Sequence, residues 1–177
     1  MIRVLAALSG GIDSSAALFL LKRSGYECAG ATMLLCGNET ADAEKAANEL
    51  SVPFYAFDFT ENFNERVIDY FIGEYKIGRT PNPCVECNRL IKFGLFIEKA
   101  DELGFDKIAT GHYARATSDN GRYLLKKGAD SKKDQSYVLY HLTQNQLKKI
   151  IFPLGGMTKD EVRAIAANNN FPGAKKR

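Results

Sequence analysis

The chain opens on a run, Ile2 to Leu8, that is apolar but for Arg3 and stops at Ser9-Gly10-Gly11. A run this short, closed by glycine, reads as a strand buried on both faces. From Asp13 to Ser24 the apolar positions fall at helical spacing until Gly25 ends them, and residues 26–35 return to strand. Asp42 to Leu50 predicts a helix and Val52 to Phe57 a third strand. Asn62 to Ile77 predicts a helix with Val67, Tyr70, Phe71 and Tyr75 on one side. Gly78-Arg79-Thr80-Pro81-Asn82-Pro83 breaks the pattern, because two prolines deny the backbone two donors. Cys87 to Leu103 then reads as helix and Lys107 to Thr110 as a fourth strand. Beyond Gly111, Arg122 to Lys127 reads as part of a small hairpin. Thr143 to Ile151 and Thr158 to Ala167 read as helices, the second opened by Thr158 and Glu161 at capping-box spacing.

Short buried strands separated by helices predict an α/β fold. The expected architecture is a Rossmann-like parallel sheet with helices on both faces, a small hairpin and a helical C-terminal extension. Residues 1–177 are long enough for one domain with a sizeable core.

Composition changes this picture little. No apolar run is long enough to span a bilayer, and the first strand lacks the charged flank and cleavage site of a signal peptide. The expectation is a cytoplasmic protein with no membrane partner, whose four cysteines, Cys28, Cys36, Cys84 and Cys87, are reduced, catalytic or metal-bound. A net charge of +3 is too small to argue for nucleic acid. Lys126, Lys127, Lys132 and Lys133 cluster, as do Lys175, Lys176 and Arg177, and by themselves they read as a solvated basic surface.

The candidate chemistry begins where the first strand meets the first helix, in Leu8-Ser9-Gly10-Gly11-Ile12-Asp13-Ser14-Ser15. Glycines let the backbone turn tightly and present amides to an anion, and the helix N-terminus adds free donors and partial positive charge. Asp13 is the odd member: beside a phosphate it either caps the helix or holds magnesium. The run has neither the Gly-Lys-Ser/Thr ending of a Walker loop nor the spacing of a dinucleotide fingerprint. Cys87 follows the proline-rigid stretch at a predicted helix N-terminus, a placement that lowers a thiol pKa and favours thiolate. Cys84-x-x-Cys87 fits a redox dithiol, a zinc half-site or an iron–sulfur half-site. A four-thiolate set would also need Cys28 and Cys36, and Cys28 on its apolar strand reads as core. His112 follows a strand end, where α/β sites form, but a lone histidine is more often structural than catalytic. Lys133-Asp134-Gln135 combines a phosphate-seeking cation with groups that read hydroxyls or base edges.

Ser9 to Ser15 resembles the PP-loop of the ATP pyrophosphatase superfamily, whose members bind ATP on an adenine nucleotide alpha hydrolase-like domain and adenylate a carbonyl oxygen. Residues Gly78 to Arg89, Ile91-Lys92-Phe93, Ala109 to Arg115, Lys133 to Tyr137 and Phe152-Pro153-Leu154-Gly155 are similar, in order and spacing, to the signature of the tRNA-specific 2-thiouridylases. The likeness covers the whole chain. It implies ATP and Mg2+ held by Ala7, Leu8, Ser9, Gly10, Gly11, Ile12, Asp13, Ser14, Met33 and Gly111. It implies tRNA contacts from Asn82, Pro83, Cys84, Lys133, Asp134 and Gln135, and sulfur transfer by Cys87 with Cys84. The implied reaction adenylates O2 of a wobble-position uridine and replaces that oxygen with sulfur, which a cysteine desulfurase or sulfur-relay protein supplies. Two departures stand out. Many family members carry aspartate where this chain has Cys84, and the thiol pair so created fits iron–sulfur-dependent variants, with Cys84 and Cys87 as candidate ligands. The family also places a second catalytic cysteine beyond the stretch matching Ala174-Lys175-Lys176, so the expectation is a PP-loop domain incomplete at its C-terminal end and without tRNA-binding domains. The rival expectations are another adenylating tRNA-modifying enzyme of the superfamily, or an ATP- and tRNA-binding fragment without turnover.

Overall fold

The computed structural model describes residues 1–37, 40–169 and 171. The terminal basic cluster Lys175-Lys176-Arg177 and the Ala174-Lys175-Lys176 stretch lie outside the described residues. Five parallel strands form one sheet in the order β3-β2-β1-β4-β7. They are β1 (Arg3–Ala7), β2 (Glu27–Leu34), β3 (Phe54–Asp58), β4 (Lys107–Ala109) and β7 (Ile150–Ile151). Strand side chains alternate faces, and β1 is apolar from Val4 to Ala7 because both of its faces are covered. Leu5 enters a core with Ile91, Phe93, Phe96 and Ile108, while Val4, Ala6 and Leu8 enter another with Leu18, Leu21, Ala43 and Ala47. The first core is roofed by the helical segment 83–102, the second by α1 (Ile12–Arg23) and α2 (Ala41–Glu49). The final helix, Lys159–Asn168, packs Val162 and Ala166 against Ala16 and Ala17 of α1. No helix among the described residues is long and apolar enough to cross a membrane.

The chain order β1, β2, β3 runs to one side of the sheet, and β4 then pairs on the other side of β1. Adjacent β1 and β4 therefore send their following loops in opposite directions. A crevice opens at their carboxyl ends, the place where open α/β sheets bind ligands.

Three expectations change. The prolines of the breaker stretch do not exclude helix up to Cys87: the helix starts at Pro83, which sits in the first turn, where a missing N–H costs nothing. Asn82 caps it by accepting from the Cys84 amide at 3.0 Å. Cys87 thus falls in the second turn. The predicted helix 143–151 stops at Lys149, and Ile150–Ile151 instead pair with Ile108 and Ala109 as the edge strand β7, where β-branched side chains fit. In the segment 60–76, Val67 is buried, whereas Tyr70 and Tyr75 are exposed, so the apolar stripe does not all face the core. A π-helical stretch, Asn64–Ile68, shifts the phase of the residues after it. The hairpin has two strands, β5 (Ala114–Asp119) and β6 (Arg122–Lys127). They are joined by Asn120-Gly121, both at positive φ (46° and 79°), the residue pair that a two-residue primed turn favours.

Phe152 to Gly155 carries the chain from β7 back beneath the hairpin. A Cβ at Gly155 would overlap the Ala114 carbonyl, whereas one at Gly156 would meet nothing within 4 Å. Gly155→Ala is expected to destabilise the fold toward the upper end of the ~1–3 kcal/mol range for overpacking. Gly156→Ala is expected to stay within about 0.5 kcal/mol. Urea denaturation of the two variants side by side checks this.

Candidate functional site

The loop after β1 is organised by its own hydroxyls. Ser14 Oγ and Ser15 Oγ donate to the Gly11 carbonyl at 3.0 and 3.1 Å, and Ser9 N donates to Ser14 Oγ at 3.2 Å. Thr32 Oγ1 of β2 donates to the Leu8 carbonyl at 2.7 Å and fixes the strand end. Gly11 caps α1 with no side-chain bond, so the first-turn amides keep their donors for an anion. Gly10 has φ +73°, and a Cβ there would overlap Asp42 Cβ. Gly111, from the end of β4, would set a Cβ 3.2 Å from Ser14 N. Both glycines are needed because α2 and β4 press directly on the loop.

Three adjoining cavities share Asp13. The first, of about 250 Å3, is lined by Ala7, Leu8, Ser9, Ser14, Met33 and Gly111, all expected nucleotide residues, together with Lys92, Thr110, His112 and Gln135. The second, about 400 Å3, is lined by Ser9, Gly10, Gly11 and Ile12 with Asp42 and Lys159. The third, about 330 Å3, brings in Lys132, Lys133, Asp134, Gln135, Tyr113 and Tyr137. Asn82, Pro83, Cys84 and Cys87 line none of these three.

Asp13 does not act as a helix cap. Its two oxygens take Lys159 Nζ at 2.6 and 2.7 Å, and Tyr113 donates its hydroxyl to Oδ1 at 2.9 Å. Burial first, and Asp13 second, push the Tyr113 hydroxyl far up, so it stays a donor. Gln135 is tied to the same tyrosine: its amide donates to the Tyr113 carbonyl at 2.9 Å, and its Oε1 accepts from the Tyr113 amide at 3.0 Å. The Asp134 carboxylate is engaged within the chain, accepting from Gly128 N and Ser136 Oγ, each at 2.8 Å. Lys132 and Lys133 are exposed.

His112 is half-buried between Phe93 and Phe152, with ring centroids 5.7 and 6.1 Å away, and its Nδ1 lies 2.8 Å from Thr110 Oγ1. Burial, aided by the Lys92 charge, pulls its pKa down to about 3. The ring is neutral near pH 7 and forms part of the wall of the first cavity.

The thiols depart from expectation. Cys87 was expected at a helix N-terminus with a lowered pKa. It lies buried in the second turn, and burial pushes its thiol up; Lys92 pulls it partly back, while Cys84 and Cys36 push it further up. The stretch Cys87–Leu95 is wound as a π-helix, and its five-residue spacing carries Lys92 round toward the side of Cys87. Cys84, in the first turn, is exposed, as is Cys36. Cys28 is core, as expected, with its thiol pushed up to about 11 mainly by burial. Among the described residues no three His, Cys, Asp or Glu side chains gather as a metal-holding set. Cys84 and Cys87 therefore bring two thiols, half of the set that an iron–sulfur cluster takes. Asp13 and Asp42 are the carboxylates that line the glycine cavity, the kind of oxygen ligand that magnesium takes.

The sequence reading missed Lys159, Tyr113 and Asp42 as site residues and passed over Lys92, although Lys92 stands inside a quoted signature block. The capping box at Thr158 marks Lys159 as the first residue of a helix; nothing local marks its partner, 146 residues earlier.

Two measurements check this geometry. With native protein, a small alkylating reagent near neutral pH is expected to label Cys84 and Cys36 first, and Cys87 and Cys28 only slowly; mass spectrometry reads the order. The second concerns His112. Between its ordinary value of 6.5 and its depressed value of about 3, the unfolded chain takes up a proton that the folded chain refuses. Its contribution to stability is thus present above pH 6.5 and is lost as pH falls. Denaturation from pH 7 to 5 is expected to show a steeper loss in the native chain than in His112→Asn, by up to about 1.4 kcal/mol per pH unit.

Comparisons with known proteins identify the family. The family model described as the tRNA methyl transferase HUP domain matches residues 2–177. The tRNA-specific 2-thiouridylase MnmA of Caldicellulosiruptor saccharolyticus is 50% identical over 98% of this chain and 53% of its own length. MnmA 1 of Caldanaerobacter subterraneus subsp. tengcongensis is 51% identical over 99% of this chain and 53% of its own length. The chain thus spans about half the length of the curated relatives it matches. Among solved structures, a predicted subunit of tRNA methyltransferase from Methanocaldococcus jannaschii shares the fold at TM-score 0.60 and 21% identity, over 95% of this chain and 76% of that one. The chain belongs to the family of the tRNA methyl transferase HUP domain, in which these tRNA-specific 2-thiouridylases are its relatives.

Proposed function

We propose that this chain carries the ATP-dependent activation half of tRNA 2-thiouridine synthesis. One observation supports the reading above the others. The glycine loop, Gly111 and the Lys132–Gln135 segment meet around Asp13, and the helical segment that brings Lys92 into the same cavity also carries Cys84 and Cys87. A nucleotide and a base beside it thus have anion donors and cations within one crevice, with the thiols on the same helical segment as Lys92 but outside its cavities.

In this reading the adenosine lies toward Met33 and the α-phosphate lies near Ser9, Ser14 and Lys92. Magnesium, when bound, neutralises phosphate charge beside Asp13. O2 of a tRNA uridine attacks the α-phosphorus, and pyrophosphate departs. The α1 amides and Lys92 face the charge that develops there and need no rearrangement to do so. AMP then leaves C2 far more readily than an unactivated oxygen would, as a sulfur nucleophile adds. The sulfur arrives as a persulfide from a cysteine desulfurase or a relay protein. Attack by a second thiol on the persulfide S–S bond leaves the outer sulfur on C2 and joins the two cysteine sulfurs as a disulfide. Cys84 and Cys87, one helical turn apart, are the candidate thiols of this chain, with exposed Cys84 the easier to reach. His112 is neutral near pH 7 and moves no proton. Lys132 and Lys133 meet the tRNA backbone, and Gln135, pinned to Tyr113, sits where a base edge is read.

The test is pyrophosphate release with ATP, Mg2+ and unmodified tRNA, followed by nucleoside analysis of the tRNA after a persulfide donor is added. Pyrophosphate release that needs tRNA is the expected result, and any thiolated nucleoside formed is expected to be 2-thiouridine. Thiocytidine or lysidine would move the chain to another branch of the superfamily, and ATP binding with no tRNA-dependent release would reduce it to a binding module. Gly10→Ala, which forces a side chain onto Asp42, is expected to weaken ATP binding at least tenfold, about 1.4 kcal/mol, in calorimetry.

A further inference from the structure

We propose that Lys159 is a phosphate ligand for the pyrophosphate half of the nucleotide, exchanged between Asp13 and the triphosphate. This rests on the reading that ATP occupies the crevice around Asp13, and it goes beyond that reading by assigning a residue outside the glycine loop.

A carboxylate in a loop built for anions works against its own purpose, since its charge repels the phosphates that the amides attract. In this protein Asp13 is neutralised by a two-pronged contact from Lys159, at 2.6 and 2.7 Å. The two side chains are 20% and 35% exposed, so the pair is shielded but reachable. Lys159 does not come from the loop's surroundings in sequence. The final helix delivers it, and its backbone is held firmly: Thr158 and Glu161 form a reciprocal cap, and the Lys159 amide donates to Asp130 Oδ2 at 2.9 Å. The ammonium sits at the end of a flexible four-carbon stem on this fixed base, so the charge can swing while the fold stays still.

The cavities set the direction of that swing. Lys92 faces the cavity that contains Met33, Ser14 and Gly111, the nucleoside and α-phosphate side. Lys159 faces the cavity of Gly10, Gly11 and Asp42 on the other side of Asp13. A triphosphate whose α-phosphorus lies near Ser14 runs its β- and γ-phosphates past Gly10 and Gly11 into the Lys159 cavity. The exchange leaves no bare charge behind. Tyr113 keeps its hydrogen bond to Asp13 Oδ1 at 2.9 Å, and the magnesium that accompanies ATP supplies a cation for the carboxylate. Lys159 also borders the cavity of Lys132, Lys133 and Gln135, so its departure from Asp13 changes the charge seen by the segment assigned to tRNA.

The experiment is calorimetry of the full chain with Mg-ATP, AMP and inorganic pyrophosphate, on the native protein, Lys159→Met and Lys159→Arg. Lys159→Met is expected to lose at least tenfold in affinity for ATP and pyrophosphate and less than twofold for AMP, with Lys159→Arg recovering most of the loss. A residue that only braces the fold would weaken all three ligands together, and that pattern overturns the proposal. So does Lys159→Met binding ATP and pyrophosphate as the native chain does. If Lys159→Met does not fold because Asp13 is left unpaired, the double variant Asp13→Asn with Lys159→Met removes both charges and is compared with Asp13→Asn alone under the same two criteria. If the native chain binds none of the three ligands, the nucleotide reading fails and Lys159 falls with it; if native ATP binding is intact and insensitive to Lys159, only this assignment fails.

Discussion

The carboxylate of Asp13 stands at the mouth of an anion-binding loop, and the parts of the site are arranged around holding it. Two residues from the far half of the chain do so, Lys159 by an ion pair and Tyr113 by its hydroxyl. Each needs its own support. Tyr113 is locked by two hydrogen bonds with Gln135, which draws in the lysine-rich segment 132–135. Lys159 depends on the helix cap at Thr158 and on the segment 152–155, which slides under the hairpin only because Gly155 has no side chain. The late elements of the chain, which add little to the sheet, therefore close the site that the first strand and helix open.

The opposite wall follows a different logic. The segment 83–102 packs Ile91, Phe93 and Phe96 into the main core. Its π-helical winding lets one element serve two purposes, since Lys92 reaches the nucleotide cavity while Cys87 stays buried behind it. A buried thiol with a raised pKa is protected from adventitious oxidants and alkylating agents, and a nearby ammonium is the feature that favours its ionised form. Exposed Cys84, capped into the first turn by Asn82, is the thiol that a sulfur donor would meet first in the proposed reaction.

Much of this was legible in the sequence. The run Ile2 to Leu8 followed by Ser9-Gly10-Gly11 gave away both the buried strand and the tight turn into the first helix, because burial on two faces and a pair of glycines leave few other readings. The capping box at Thr158 was legible because it is local. What escaped was non-local or depended on register. Ile150–Ile151 looked like the end of a helix, and only the open edge of β4 makes them a strand. Pro83 looked like a barrier to helix and is a first-turn residue. Cys87 was assigned a helix end through that misplaced boundary, and its pKa direction was inverted as a result. An ideal helix also turns Lys92 well away from Cys87, and the π-helical stretch that brings it back leaves no mark in an apolar pattern. The Asp13–Lys159 pair joins the two ends of the chain, and no window along the sequence contains both.

The account stands or falls on where a nucleotide sits relative to Asp13. The most direct measurement is a crystal structure of the chain with Mg2+ and a non-hydrolysable ATP analogue. It should show adenine toward Met33, the α-phosphate at Ser9 and Ser14, and the terminal phosphates over Gly10 and Gly11 in contact with Lys159 Nζ. A nucleotide bound elsewhere, or bound in the crevice with the Asp13–Lys159 pair intact and its terminal phosphates turned away, would contradict it.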